Sequence, residues 1–162
     1  MRFEKISFMQ FVCDMKQTTC KLDDLKDLYE NAVMPRRATK KSAGYDIFAI
    51  ADIHLEPGET VKAPTGMRVI LDEDKFLMVV PRSGLGFKFK LQFDNTVGII
   101  DADYSDSDNE GHFWVKMTNE GTKPLDIARG QAMAQGIIVQ YFKTEDDDAE
   151  GIRNGGFGST TK

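Results

Sequence analysis

From Val33 onward the chain is written as short apolar runs closed by turn residues, and this punctuation limits its fold more than any other feature. Residues 45–50 (Tyr-Asp-Ile-Phe-Ala-Ile) lead to the turn Glu56-Pro57-Gly58-Glu59. Residues 60–71 follow as one run with Asp72-Glu73-Asp74 as its exit. Residues 76–80 are apolar and stop at Pro81, residues 113–117 break at Asn119-Glu120-Gly121, and residues 133–142 form a long β-rich run. Strands recurring at roughly 8–12 residues with turn signals predict an all-β sandwich or barrel, and the jelly roll is one such solution.

The 162 residues fit one domain, long enough to bury a core without disulfide staples. Residues 1–32 read differently from the β region. Ser7 and Gln10 have capping-box spacing, and Phe8, Phe11, Val12 and Met15 recur at helical intervals, predicting a helix over residues 8–15. Residues 23–29 predict a second helical stretch, with Leu22, Leu25 and Leu28 along one side. This yields three regions: a helical N-terminal extension (1–32), a β domain (33–143), and an acidic linker with a glycine-rich C-terminal flap (144–162).

The net charge of −5 repels polyanions, and Arg36, Arg37, Lys40 and Lys41 make only a short basic cluster, so no nucleic-acid partner is expected. Cys13 and Cys20 match no zinc spacing and read as reduced thiols. The N-terminus lacks a secretory h-region and no apolar run reaches membrane-span length; a cytoplasmic protein without a membrane partner is expected.

Five polar, glycine-containing segments interrupt the strands. In Ser42-Ala43-Gly44-Tyr45-Asp46, the acid is by itself a turn residue. Pro81-Arg82-Ser83-Gly84-Leu85-Gly86 reads equally as a tight turn or as an anion cradle with Arg82 as a forked donor. In the stretch from Asn95 to Tyr104, Gly98 admits a flat group. Asp101 follows Ile99 and Ile100 directly, where a carboxylate is costly to bury unless paired, which makes it a candidate for function. Asp103 reads as the start of a solvated loop. The acids from Asp101 to Asp108 do not make a calcium loop, because the sixth position is Asp106 and the flanks are strands. Gln135, on an apolar strand, is either a satisfied core amide or a ligand contact. In the tail, Phe157 among glycines can stack on a ring, and Gly158-Ser159-Thr160 can offer donors to phosphate. No Walker lysine pattern is present, and His54 and His112 lie near no nucleophile signature, so both read as surface or structural residues.

In order and spacing, these five segments resemble the five motifs of the trimeric dUTP diphosphatase family, from about Met34 to Thr160. The resemblance implies a β jelly roll and a homotrimer whose three active sites each draw on more than one chain. It implies that Asp101 binds and deprotonates the attacking water, in a partly desolvated setting that makes it a better base. Asn95 helps to read the uracil edge, which a β-hairpin backbone frames, and Gly98 and Ile100 belong to the same substrate-binding stretch. Tyr104 packs under the deoxyribose and leaves no room for a 2′-hydroxyl. Arg82, Ser83, Gly84 and Gln135 contact phosphates, and Asp46 orients a neighbour and a water near the metal. Arg153 meets the γ-phosphate, Phe157 stacks on the base, and Gly158, Ser159 and Thr160 form a phosphate-binding turn. The cofactor implied is Mg²⁺, held by substrate phosphates and water without direct protein ligands.

The implied reaction is hydrolysis of dUTP to dUMP and pyrophosphate. The rival readings are a dCTP deaminase of similar fold and a phage-type interaction protein that uses the N-terminal extension to bind a protein partner. The chain departs from the family pattern at Ser105 (commonly glycine), in the long stretch 105–112, at Ala132 (often arginine) and in a tail one residue short between Arg153 and Gly155.

Overall fold

The computed structural model describes residues 1–16, 20–151 and 153. The chain opens with β1 (Arg2–Lys5), α1 (Phe8–Asp14) and α2 (Leu22–Glu30). It continues through β2 (Arg36–Arg37), β3 (Tyr45–Phe48), β4 (Ile53–Leu55), β5 (Thr60–Pro64), β6 (Met67–Ile70) and β7 (Lys75–Pro81). After α3 (Ser83–Phe89) come β8 (Leu91–Phe93), β9 (Gly98–Asp101) and a 3₁₀ turn (Ala102–Asp106). Last are β10 (Trp114–Asn119), β11 (Leu125–Ile127) and β12 (Ala132–Gln140).

All pairings are antiparallel. A five-stranded sheet runs β2-β3-β12-β7-β9, a three-stranded sheet runs β5-β10-β8, and β1-β6 and β11-β4 form two-stranded ribbons. Strand alternation sets the interior: Val115 and Met117 of β10, Met67 and Val69 of β6, and Leu77 and Val79 of β7 point inward. Each such side chain, fully buried, contributes about 1.5–3 kcal/mol, so a one-residue slip in register would lose many of these at once. Gly136 of β12 is needed for close approach: a Cβ there would stand 2.8 Å from Leu77 Cδ1.

The helix predicted over residues 8–15 forms, and Ser7 Oγ accepts the Gln10 amide N–H as an N-cap does. The reciprocal half of the capping box is absent. Gln10 Nε2 donates to Asp14 Oδ1, and the Ser7 N–H donates to Glu110 instead. The second helix also forms, and Phe11, Met15 and Leu25 join the main core.

Three local expectations change. The run 60–71 is two strands, because Gly66 takes φ +68 and Thr65 turns inward to donate from Oγ1 to the Phe113 carbonyl. The Pro81–Gly86 segment is neither a simple turn nor an open cradle. It enters helix α3, seated by buried Leu85 and closed by Lys90 at φ 52. Residues 2–5 form a strand on β6, a pairing with a partner more than sixty residues away that local pattern does not announce. No described helix is long and apolar enough to cross a membrane.

Candidate active site

A cavity of about 310 Å³ opens between β9 and the start of β10. Gly98 and Ile100 line it from β9, Asp101 ends that strand at the mouth, and Tyr104 closes the wall from the 3₁₀ turn. Gly98 stands opposite Val79 of β7, and a Cβ at Gly98 would lie 3.3 Å from Val79 Cβ. Glycine thus lets β9 lie close against Val79 of β7 beside the cavity. Asn95 lines the cavity from the connection between β8 and β9. That connection is not the ladder hairpin expected, because β8 pairs with β10 and β9 with β7, so it links two sheets. Its backbone turns sharply, with Thr96 at φ 65 and its N–H donating to the Phe93 carbonyl.

Tyr104 is 5% exposed, and its hydroxyl is engaged on both sides. It donates to the His112 carbonyl at 3.0 Å and accepts from Asn109 Nδ2 at 2.8 Å. Burial pushes the phenol above its ordinary range, so it is a neutral hydrogen-bonding wall.

Asp101 was expected in a partly desolvated setting, but its side chain is 43% exposed in the single chain. Its carboxylate is in direct contact with the Arg153 guanidinium, and Arg153 Nε lies 2.9 Å from Asp103 Oδ1. Asp103, read as the start of a solvated loop, instead lies within the 3₁₀ turn and shares a cation with Asp101. Arg153, expected at a γ-phosphate, here bridges two carboxylates at the cavity mouth.

The remaining polar segments gather elsewhere. Arg82 Nε lies 3.0 Å from Asp46 Oδ1. Gln135 of β12 stands opposite both Asp46 of β3 and Val80 of β7, and its Nε2 reaches the Pro81 carbonyl at 3.4 Å. Gly44 makes room for it, since a Cβ there would stand 2.6 Å from Gln135 Oε1. Ser83 and Gly84 follow directly, exposed at the start of α3. Asp46 is three strands across and four residues along from Asp101. Ordinary sheet spacings make that roughly 20 Å. Within one chain, the structure brings together Asn95, Gly98, Ile100, Asp101, Tyr104 and Arg153, and separately Asp46, Arg82, Ser83, Gly84 and Gln135. Phe157, Gly158, Ser159 and Thr160 lie outside the described residues.

Sequence reading missed Phe113 and Trp114, which line the cavity from the side opposite β9. The single tryptophan, placed where a polar loop meets a strand, was the available signal. Lys62 Nζ sits over the Trp114 ring, 4.6 Å from its centroid. Among the described residues, no group of three or more His, Cys, Asp or Glu side chains could hold a metal ion.

Comparison with known proteins places the chain in a family. The family model for dUTPase matches residues 30–161. The deoxyuridine 5′-triphosphate nucleotidohydrolase of Lactococcus lactis subsp. lactis is 36% identical over 137 residues, covering 82% of this chain and 91% of that protein. The crystal structure of dUTPase from Streptococcus mutans superposes with a TM-score of 0.67 at 26% identity, covering 90% of this chain and 99% of that one. A dUTPase from phage phi11 of S. aureus, described as coordinating a structural Mg(II) ion, superposes with a TM-score of 0.63 at 27% identity, covering 77% and 94%. Matched over most of its length in both sequence and fold, the chain belongs to the dUTPase family of hydrolases, built on the jelly-roll β fold.

Proposed function

We propose that the protein hydrolyses dUTP to dUMP and pyrophosphate in the cytoplasm, keeping uracil out of DNA and supplying dUMP. The observation that carries this reading is the position of Asp101 at the mouth of a cavity floored by Gly98 and walled by Tyr104. In this reading Asp101 takes a proton from water as the water oxygen attacks the α-phosphorus. The bond from that phosphorus to the α,β-bridging oxygen breaks, and pyrophosphate leaves. Asn95 and the turn beside it read the uracil edge, where a mismatched base leaves buried polar groups unpaired. Tyr104 lies under the deoxyribose and excludes a 2′-hydroxyl. Arg82, Ser83, Gly84 and Gln135 hold phosphate oxygens, and Asp46 fixes the angle of Arg82 through their ion pair. The γ-phosphate draws Arg153 away from Asp101 and Asp103, freeing the carboxylate for water. In this reading Phe157 stacks on the base, and Gly158, Ser159 and Thr160 bind phosphate.

In this reading Mg²⁺ is carried on the triphosphate and its waters, whose hard oxygen donors suit it. When bound, it supplies charge relief on the departing pyrophosphate. A homotrimer with shared sites is supported by the roughly 20 Å between Asp46 and Asp101, estimated from sheet spacings, which one chain does not close. Phe87, 92% exposed on α3, and Ile99, 49% exposed on β9, are apolar groups that a neighbouring subunit would cover.

A pyrophosphate-release assay over dUTP and the four standard dNTPs tests the reading. Selective turnover of dUTP is expected. Ammonia release from dCTP would replace this reading with the deaminase, and equal turnover of dCTP or dTTP would overturn it.

A further inference from the structure

The N-terminal extension meets the candidate site through the stretch 105–112. Glu110 is held at φ 56 and Gly111 at φ 74, so two consecutive residues are left-handed. The first of them is not glycine, a conformation that persists only when its surroundings fix it. A Cβ at Gly111 would lie 2.7 Å from Ser105 Cα and 2.9 Å from the Tyr104 carbonyl oxygen, so the loop folds back hard on the residues it left.

What fixes it is α1. The Glu110 carboxylate accepts from the Ser7 N–H at 2.7 Å and from Ser7 Oγ at 2.6 Å. At the other end of the helix, Asp14 Oδ2 lies 2.6 Å from Nδ1 of the fully buried His112. His112 Nε2 accepts the Gly66 N–H at 3.0 Å, so Nδ1 carries the proton and donates to Asp14. The second Asp14 oxygen accepts from Gln10 Nε2 at 2.8 Å. The two ends of a seven-residue helix therefore grip the loop at Glu110 and His112. Between and beside these points, the same loop supplies both partners of the Tyr104 hydroxyl, Asn109 Nδ2 and the His112 carbonyl.

We infer that the N-terminal extension is a positioning element for Tyr104: α1 fixes the 105–112 loop, and Asn109 and His112 fix the ring that discriminates at the sugar 2′ position. Asn109, His112 and Asp14 are positioning residues that act through Tyr104. The discrimination itself rests on the dUTP reading above, whereas the mechanical coupling does not.

The test uses the full-length protein as Asn109→Ala, Asp14→Ala and Asp14→Asn. Lys26→Ala, whose partner in the extension is a surface ion pair with Glu30 at 3.8 Å, is the reference. Values of kcat/KM are measured for dUTP and UTP. Asn109→Ala and Asp14→Ala are expected to lower the dUTP-to-UTP ratio by about fivefold to tenfold, the effect of losing one positioning hydrogen bond, with kcat/KM for UTP rising as KM for dUTP worsens. Asp14→Asn, which keeps an acceptor for His112, restores most of the ratio, and Lys26→Ala leaves it unchanged. A purely structural role would lower turnover of both nucleotides without moving the ratio, and that result overturns the inference. If Asp14→Ala folds poorly, Ser7→Ala gives the milder shift in the same direction. Amide hydrogen exchange on the same proteins needs no substrate. Asp14→Ala is expected to deprotect amides of residues 104–112, and unchanged protection there overturns the coupling even if dUTP proves not to be the substrate.

Discussion

Arg82 and Asp46 form an ion pair of 3.0 Å that ties the segment after β7 to the start of β3, at the end of the sheet where Gln135 also stands. The Arg82 side chain is 40% exposed, so the pair contributes little to stability, at most about 1 kcal/mol. In the proposed function its value lies in aim, with the guanidinium held by Nε and its terminal nitrogens turned to an anion. Asp46→Asn is expected to leave the melting temperature nearly unchanged and raise KM for dUTP about tenfold, the cost of misdirecting one charge-assisted hydrogen bond. Titration calorimetry with a non-hydrolysable analogue, set beside thermal melts, separates the two effects.

Asp101 is in contact with Arg153 and exposed enough to meet water. Replacing its carboxylate with an amide keeps shape and removes the proposed base. Asp101→Asn is expected to retain nucleotide binding and to lose turnover by about a hundredfold to ten-thousandfold, the range ascribed to general-base catalysis. Unchanged turnover would take Asp101 out of the mechanism.

What was legible follows how local each determinant is. The α1 start could be read because Ser7 and Gln10 are three apart, and β9 because Gly98 through Asp101 is one unbroken strand. On local chemistry Asp101 is one of several acids, and only the family-like spacing from Asn95 through Tyr104 sets it apart from Asp103, Asp106 and Asp108. Helix α3 was not legible, since Gly84 and Gly86 argue against a helix and only the burial of Leu85 decides for one. Nor was β1, because its partner β6 is chosen by tertiary pairing. The grip of α1 on Glu110 and His112 joins positions about a hundred residues apart that carry ordinary polar side chains. In Tyr104 the motif marked the ring, and only the fold shows what holds its hydroxyl.

The two histidines give opposite pH signatures. Burial holds His112 below the ordinary 6.5, outweighing the upward pull of Asp14. The unfolded chain therefore takes up this proton near pH 6.5, before the folded chain does. Stabilisation by neutral His112 is fully present above pH 6.5 and is lost as pH falls toward the folded value. His54 is raised above 6.5 by hydrogen bonds to Asp126 and Glu56. Its contribution is fully present below pH 6.5 and is lost as pH rises through the folded value. Melting curves from pH 5 to 8 are expected to show the gap between wild type and His112→Asn widening as pH rises. The smaller gap for the exposed His54→Gln should narrow over the same range. Parallel gaps would contradict both assignments.

Gly136 and Gly98 both face β7, but a methyl group at each has a different consequence. At Gly136 the new carbon would meet Leu77 Cδ1 at 2.8 Å, and Leu77 is fully buried, so something packed must move. Gly136→Ala is expected to destabilise the fold by about 1–3 kcal/mol, as overpacking does, with KM nearly unchanged in the folded fraction. At Gly98 the contact is 3.3 Å to Val79 Cβ, which asks a neighbour to shift by only a few tenths of an ångström, and Gly98 itself lines the cavity. Gly98→Ala is expected to cost under about 1 kcal/mol in stability, while raising KM for dUTP about tenfold because a flat base no longer reaches the floor. Urea denaturation and steady-state kinetics on the two variants decide it: a Gly98→Ala enzyme with wild-type KM would mean that the base does not rest on β9.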